Sequence, residues 1–147
     1  EPALSPDGKT LAYISDRTGT PQVYLLNLAT KKTTRLTKKG NYNSSPSWSP
    51  DGTMIAYNGV RNSKSVIFRV LVDDPLGFET QVSPKGMQAE SPVWSSDGSL
   101  VAYQAKRTGQ QNWKIYYSLS SGSPAQRLTK SKRGVDETSP SWNSGLR

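Results

Sequence analysis

The sequence predicts an all-β chain built from repeated four-stranded antiparallel units. Three observations carry this reading. A segment recurs as EPALSPDGKTLAY at Glu1–Tyr13, SPSWSPDGTMIAY at Ser45–Tyr57 and SPVWSSDGSLVAY at Ser91–Tyr103, with a stub, SPSWN, at Ser139–Asn143. The prolines Pro2, Pro46, Pro92 and Pro140 are spaced by 44, 46 and 48 residues, a period that signals a repeat architecture. No stretch combines helical periodicity with helix caps.

Each copy encodes strand, turn, strand. Pro46 lacks a donor and suits the start of a strand. Ser49-Pro50-Asp51-Gly52 is a turn: proline pre-sets φ, aspartate bonds the local backbone and glycine takes positive φ. Met54–Tyr57 is a short run of strand formers. A third strand follows at Gln22–Leu28, Val66–Val72 and Trp113–Leu119. A fourth follows at Thr33–Thr37, Thr80–Ser83 and Ala125–Thr129. Polar links such as SDRTGTP (Ser15–Pro21), Asn58–Ser65 and KRTGQQN (Lys106–Asn112) join second and third strands.

Four short antiparallel strands per period make one β-propeller blade. SPSWSPDGTMIAY, ISDRTGTPQVYLLNL and RLT resemble the WD40-like PD40 repeats of TolB-type propellers, over nearly the whole chain. The WD dipeptide of true WD40 repeats is absent. Leu4 stands for tryptophan and Ser96 for proline, and Asn58–Arg61 departs from Ser15–Arg17. The expected organisation is a partial propeller over 1–147, with repeats 1–44, 45–90 and 91–138 and a closing strand at 139–147. Propellers close with about four to eight blades, so a six-bladed ring is expected. Glu1 falls inside the repeat pattern and the stub ends without a DG turn, so further blades are expected upstream. An isolated chain is expected to dimerise or aggregate.

Composition excludes several chemistries. The 147 residues contain no Cys and no His, which removes disulfides, thiol nucleophiles and Ser-His-Asp catalysis. No apolar run approaches a membrane span, no signal peptide begins the sequence, and no cofactor is expected. The net charge is +8. In a four-stranded meander, the inter-repeat links and the links between second and third strands share one end. That end holds eleven cations (Arg17, Lys38, Lys39, Arg61, Lys64, Lys85, Lys106, Arg107, Lys130, Lys132, Arg133) against Asp16, Glu90, Asp136 and Glu137, or +7.

The recurring side chains divide by role. Asp7, Asp51 and Asp97 read as turn formers rather than metal ligands. Trp48, Trp94 and Trp142 read as inter-blade packing rather than a stacking platform, and Trp113 is a candidate surface contact. Arg17, Arg61 and Arg107 recur and read as blade-to-blade hydrogen bonds or an anion clamp. Ser44, Glu90 and Thr138 stand two residues before Pro46, Pro92 and Pro140. With Tyr42, Asp136 and Glu137 they form the expected partner-binding channel mouth, inside a basic rim of Arg17, Lys38, Lys39, Arg61, Lys106 and Arg107. The resemblance implies a non-catalytic periplasmic protein of the Tol–Pal envelope system, binding a Pal-like lipoprotein and other Tol components. The alternative is the gating propeller of a prolyl-oligopeptidase-like or other hydrolase. Nucleic acid is not expected, because only Tyr42 supplies an aromatic among the basic links.

Overall fold

The computed structural model describes residues 2–122, 124–132 and 134–142. Three four-stranded antiparallel sheets follow one another along the chain. The first holds β1 (Ala3–Leu4), β2 (Thr10–Ser15), β3 (Gln22–Asn27) and β4 (Thr33–Arg35). The second holds β5 (Asn43–Trp48), β6 (Met54–Arg61), β7 (Lys64–Leu71) and β8 (Glu79–Gln81). The third holds β9 (Met87–Trp94), β10 (Leu100–Arg107), β11 (Lys114–Leu119) and β12 (Gln126–Arg127). Spatial order equals chain order in each sheet, as a blade requires. Among the described residues no helix is long and apolar enough to cross a membrane.

The S-P-D-G segments of the first two blades and S-S-D-G of the third close the first hairpin of each blade with one set of bonds. Ser5, Ser49 and Ser95 donate their hydroxyls to Asp7, Asp51 and Asp97 at 2.6, 2.6 and 2.5 Å. Each carboxylate also accepts the backbone N–H two residues on, at 3.0 Å. Gly8, Gly52 and Gly98 follow at φ 72°, 72° and 74°.

The core lies between blades rather than inside them. One cluster joins Ala12, Val23 and Leu36 of the first blade to Ile55, Tyr57, Val66, Phe68 and Val70 of the second. The other joins Ala56, Ile67 and Val82 of the second to Met87, Ala89, Trp94, Val101, Tyr103, Ala105 and Tyr116 of the third. The tryptophans lock these faces: the Trp48 indole N–H donates to Ala3 O and that of Trp94 to Ser47 O, both at 3.0 Å. Exposure at equivalent positions follows the neighbours. Leu36 and Val82, each covered by the next blade, are 4% and 1% exposed, whereas Leu128, in the third blade, is 54% exposed.

Two local features differ from the sequence reading. Asn58–Ser65 is mostly strand: β6 and β7 run on to a two-residue turn with Asn62 and Ser63 both at positive φ (50° and 60°), the conformation that tight hairpins require. The first strands of the second and third blades begin earlier than expected, at Asn43 and Met87, and each carries a break in register near its Ser-Pro pair. Of the expected closing strand, 139–142 are described without strand pairing, and 143–147 lie outside the described residues.

Gly52 faces the Pro6 ring across the blade boundary, where an added Cβ would stand 3.7 Å from Pro6 Cδ. Space is therefore adequate and backbone conformation decides. Gly52→Val should destabilise the fold by about 1 kcal/mol or more, measured by denaturant unfolding; an unchanged midpoint would refute the turn assignment.

Candidate functional site: the channel wall and its rim

The first strands come together at a cavity of about 300 Å³. Its wall is made of the pairs Ser45-Pro46, Ser91-Pro92 and Ser139-Pro140, with Pro2, Ser47 and Val93. Each of these serines holds a left-handed backbone, at φ 49°, 55° and 55°. A residue before proline normally extends, and a non-glycine at positive φ is uncommon. Three equivalent positions share the departure, and in β5 and β9 it coincides with the register breaks. The bulge turns the Ser-Pro unit out of the ladder and into the cavity wall. Prolines offer no N–H, so this wall presents hydroxyls, carbonyls and ring carbons without charge.

Ser44, Glu90 and Thr138 immediately precede the left-handed serines. Ser44 pairs with Asn58 and accepts its side-chain N–H at 3.3 Å. Glu90 pairs with Gln104 and accepts its side-chain N–H at 3.5 Å. Gln104 in turn accepts Ser139 N–H at 2.9 Å, tying the final Ser-Pro unit to the third blade. Thr138 is exposed. Tyr42 is 45% exposed, and its carbonyl accepts Val60 N–H.

The inter-repeat links and the links between second and third strands share one end, as the charge count assumed. Asn43 N–H donates to Pro21 O, Thr108 N–H to Gly86 O and Glu137 N–H to Trp113 O. Arg133, counted in that face, lies outside the described residues.

The two acidic residues of the last link are engaged in folding it. Asp136 accepts Trp113 N–H at 2.8 Å and the Asn112 side chain at 3.2 Å, contacts that lower its pKa, the Trp113 bond most. Glu137 accepts the Thr129 hydroxyl at 2.5 Å and stands 3.6 Å from Lys114; the Thr129 bond leads in lowering its pKa. Sequence reasoning missed Lys114. It is buried, and its ammonium donates to Ser131 Oγ and Val135 O. The available signal was a lysine at the head of a buried third strand, where the other repeats have Gln22 and Val66.

The arginines correct the sequence reading. Arg17 donates to Ser15 and Tyr13 and lies over the Tyr24 ring, 4.7 Å from its centroid. Arg61 lies over Phe68 at the same distance and pairs with Glu79 at 2.7 Å. Both lie over the third-strand aromatic of their own blade. Arg61 also holds the preceding link, donating to Lys39 O at 3.2 Å and Asn43 Oδ1 at 3.2 Å. Burial first, and then the Glu79 carboxylate, keep the Tyr57 hydroxyl protonated far above its ordinary range. In the third blade the pattern shifts: Lys106 lies over the Trp113 ring at 4.7 Å, and Arg107 is exposed. Trp113 itself is half-buried. Lys38 donates to Arg35 O at 2.7 Å. Among the described residues no group of three or more acidic, His or Cys side chains could hold a metal.

Three consecutive four-stranded antiparallel blades that meet at a Ser-Pro-walled cavity define a β-propeller repeat protein. The TolB beta propeller domain model, PD40, matches residues 1–145, and the chain belongs to that family. The Tol-Pal system protein TolB of Francisella tularensis subsp. mediasiatica is 49% identical over 55 residues, covering 37% of this chain and 13% of that protein. A TolB-like protein of Agrobacterium tumefaciens superposes with a TM-score of 0.79 at 28% identity, over 89% of this chain and 46% of that one. TolB from Acinetobacter baumannii superposes with a TM-score of 0.75 at 25% identity, over 93% of this chain and 33% of that one. The chain thus spans less than half the length of these relatives. A prolyl endopeptidase, at 17% identity and a TM-score of 0.64, shares the fold alone.

Two expectations follow from this geometry. Glycine accepts positive φ without the cost of about 1 kcal/mol that a Cβ incurs, so Ser91→Gly should leave stability unchanged or raise it and Ser91→Val should lower it, in thermal melts of both variants; a loss in the glycine variant equal to that in valine would refute the strain. Ser95 and Ser99 depress the Asp97 pKa from 3.8 to about 2. The folded value is the lower, so the ionised turn stabilises the fold above about pH 4, and this is lost as pH falls towards 2. Asp97→Asn should therefore flatten the dependence of Tm on pH across that window; an unaltered slope would count against it.

Proposed function

We propose that the chain is a non-catalytic protein-interaction module of a Tol–Pal-type cell-envelope assembly, taking a protein partner at the channel mouth in the periplasm. The observation that carries this reading is the set of three left-handed Ser-Pro units sharing one cavity, flanked by Ser44, Glu90 and Thr138, in a chain whose family match covers residues 1–145. Strained backbone at three equivalent described positions supports a binding role, because such strain clusters at functional sites. Loops on a rigid β scaffold vary without disturbing the blades, so contacts concentrate there.

Chemistry supports binding over catalysis. The sequence has no His or Cys, and the serines of the channel wall have no base to activate them. Asp136 and Glu137 are committed to backbone and hydroxyl donors, and Glu90 accepts the Gln104 side-chain N–H. The basic rim of Arg17, Lys38, Lys39, Arg61, Lys106 and Arg107 favours an acidic partner and speeds encounter in a salt-dependent way. A Pal-like lipoprotein and other Tol components are the partners that the family suggests. The uncovered Leu4 and Leu128, each 54% exposed, support association of this chain with further blades at both flanks.

The test is a titration of the soluble domain of a Pal-like lipoprotein against the intact protein. Glu90→Arg combined with Thr138→Trp should weaken binding about tenfold or more while leaving Tm nearly unchanged. Lys31→Glu with Lys32→Glu, at the opposite end of the first blade, should change neither. Loss of binding in the second pair but not the first would overturn the face assignment.

A further inference from the structure

We propose that the outer cleft between the second and third blades is a second docking site, for an extended peptide segment that carries a carboxylate beside an apolar side chain. It stands apart from the channel. The Ser-Pro cavity and this cleft share no lining residue: the cleft is formed by the end of β8 with the segment after it and by the segment before β12, with Met87 at the start of β9 and Arg107 and Thr108 at the end of β10, so that only Arg107 also belongs to the basic rim.

The cleft consists of two cavities, of about 300 and 460 Å³, that share Pro84, Lys85 and Pro124 and so run into one another. Val82 and Met87, 1% and 4% exposed, form its floor. Pro84 and Pro124 wall it. Two backbone contacts fix its ends before any ligand arrives. Thr108 donates to Gly86 O through its N–H at 3.0 Å and its hydroxyl at 3.1 Å. At the other end Gly122, at φ 88°, lets the last turn close onto β8: a Cβ there would stand 2.8 Å from Gln81 O. A cleft held open in this way costs little ordering on binding.

Charge selects the occupant. Lys85 and Arg107 line the cavity nearer the link end, both exposed. Neither enters an ion pair among the described residues, and no carboxylate lines either cavity. Proline walls have no N–H to extend a sheet, so recognition falls to side chains: an apolar group between Pro84 and Pro124, and a carboxylate between the two cations. Arginine suits the latter through its fork of donors.

The probe is a fluorescein-labelled, acetylated peptide of about eight residues alternating leucine and glutamate, long enough to cross both cavities at about 3.3 Å per residue, titrated into the intact protein by fluorescence polarisation. Saturable binding is expected, weakened about tenfold or more by Lys85→Glu with Arg107→Glu and unaltered by Glu90→Arg. Both cleft side chains are exposed, so the double variant should keep its Tm; Lys85→Gln with Arg107→Gln provides the same test without repulsion. A serine–glutamate peptide should bind about tenfold more weakly, and a leucine–lysine peptide should not bind. Equal binding of either control peptide, undiminished binding to both double variants, or loss through Glu90→Arg would each overturn the proposal. The last result would transfer the peptide to the channel mouth, whereas loss confined to the cleft variants leaves the channel reading to its own titration.

Discussion

The bond from each first-strand tryptophan to the first strand of the preceding blade is the contact on which the rest of the chain depends. A four-stranded sheet with apolar residues on both faces cannot bury them alone. The indole resolves this at one point: its rings fill the inter-blade core while its N–H satisfies a carbonyl of the blade before, Ala3 for Trp48 and Ser47 for Trp94. A buried indole without such a partner would carry an uncompensated donor. The same bond fixes the spacing and tilt of successive first strands, and thereby the channel wall. In the first blade Leu4 stands in place of tryptophan and is 54% exposed. Stability and site are thus set by one contact, repeated.

Much of this was legible in the sequence because the signals are local. S-P-D-G reads as a turn from proline, aspartate and glycine alone, and Asp7, Asp51 and Asp97 accept local backbone N–H groups as expected; the serine hydroxyls that also donate to them add to that reading. The strand order follows from short links. The illegible parts are those where tertiary context overrules a local preference. A serine before proline should extend, and only the bulges in β5 and β9 reveal why it does not. Asn62-Ser63 lacks the glycine that marks a tight hairpin, so the long β6–β7 pair was read as a link. Arg17 and Arg61 recur in a way that invites a symmetric inter-blade role, yet an aromatic face in the same blade captures each of them. Lys114 looked like an ordinary strand lysine because its acceptors lie beyond position 130, distant in sequence.

The links themselves obey a second rule that explains why their variation is harmless. Two residues past the fourth strand of each described blade a hydroxyl caps the third strand: Thr37, Ser83 and Thr129 accept the N–H of Val23, Ile67 and Ile115 at 3.0, 2.9 and 3.1 Å. The residue before each of those N–H groups then matches the link that follows. Gln22 bonds Gly40 O and Asn43 in the first link. Lys114 gathers Ser131, Val135 and Glu137 in the last. Val66 joins the inter-blade core instead, and the second link is clamped from the next blade by Thr108.

This division separates what must stay constant from what can carry specificity. Hydroxyl caps and tryptophan bonds recur because each closes a backbone group that would otherwise be buried without a partner, and the DG turns recur because each closes the first hairpin of a blade. The link end is free of that demand once its anchors are made, so charge accumulates there at little cost to the blades. The anchors also decide which charges remain available. Asp136, Glu137 and Lys114 are consumed in holding the last link, and Arg61 in holding the first. Lys85 and Arg107 are not consumed by any ion pair among the described residues. A partner approaching this end therefore meets a field set by the net excess of cations, but only the uncommitted ones can desolvate against it without unfolding a link. Steering and recognition thus fall to different side chains on one surface, the first depending on charge count and the second on which charges the fold has left unspoken for.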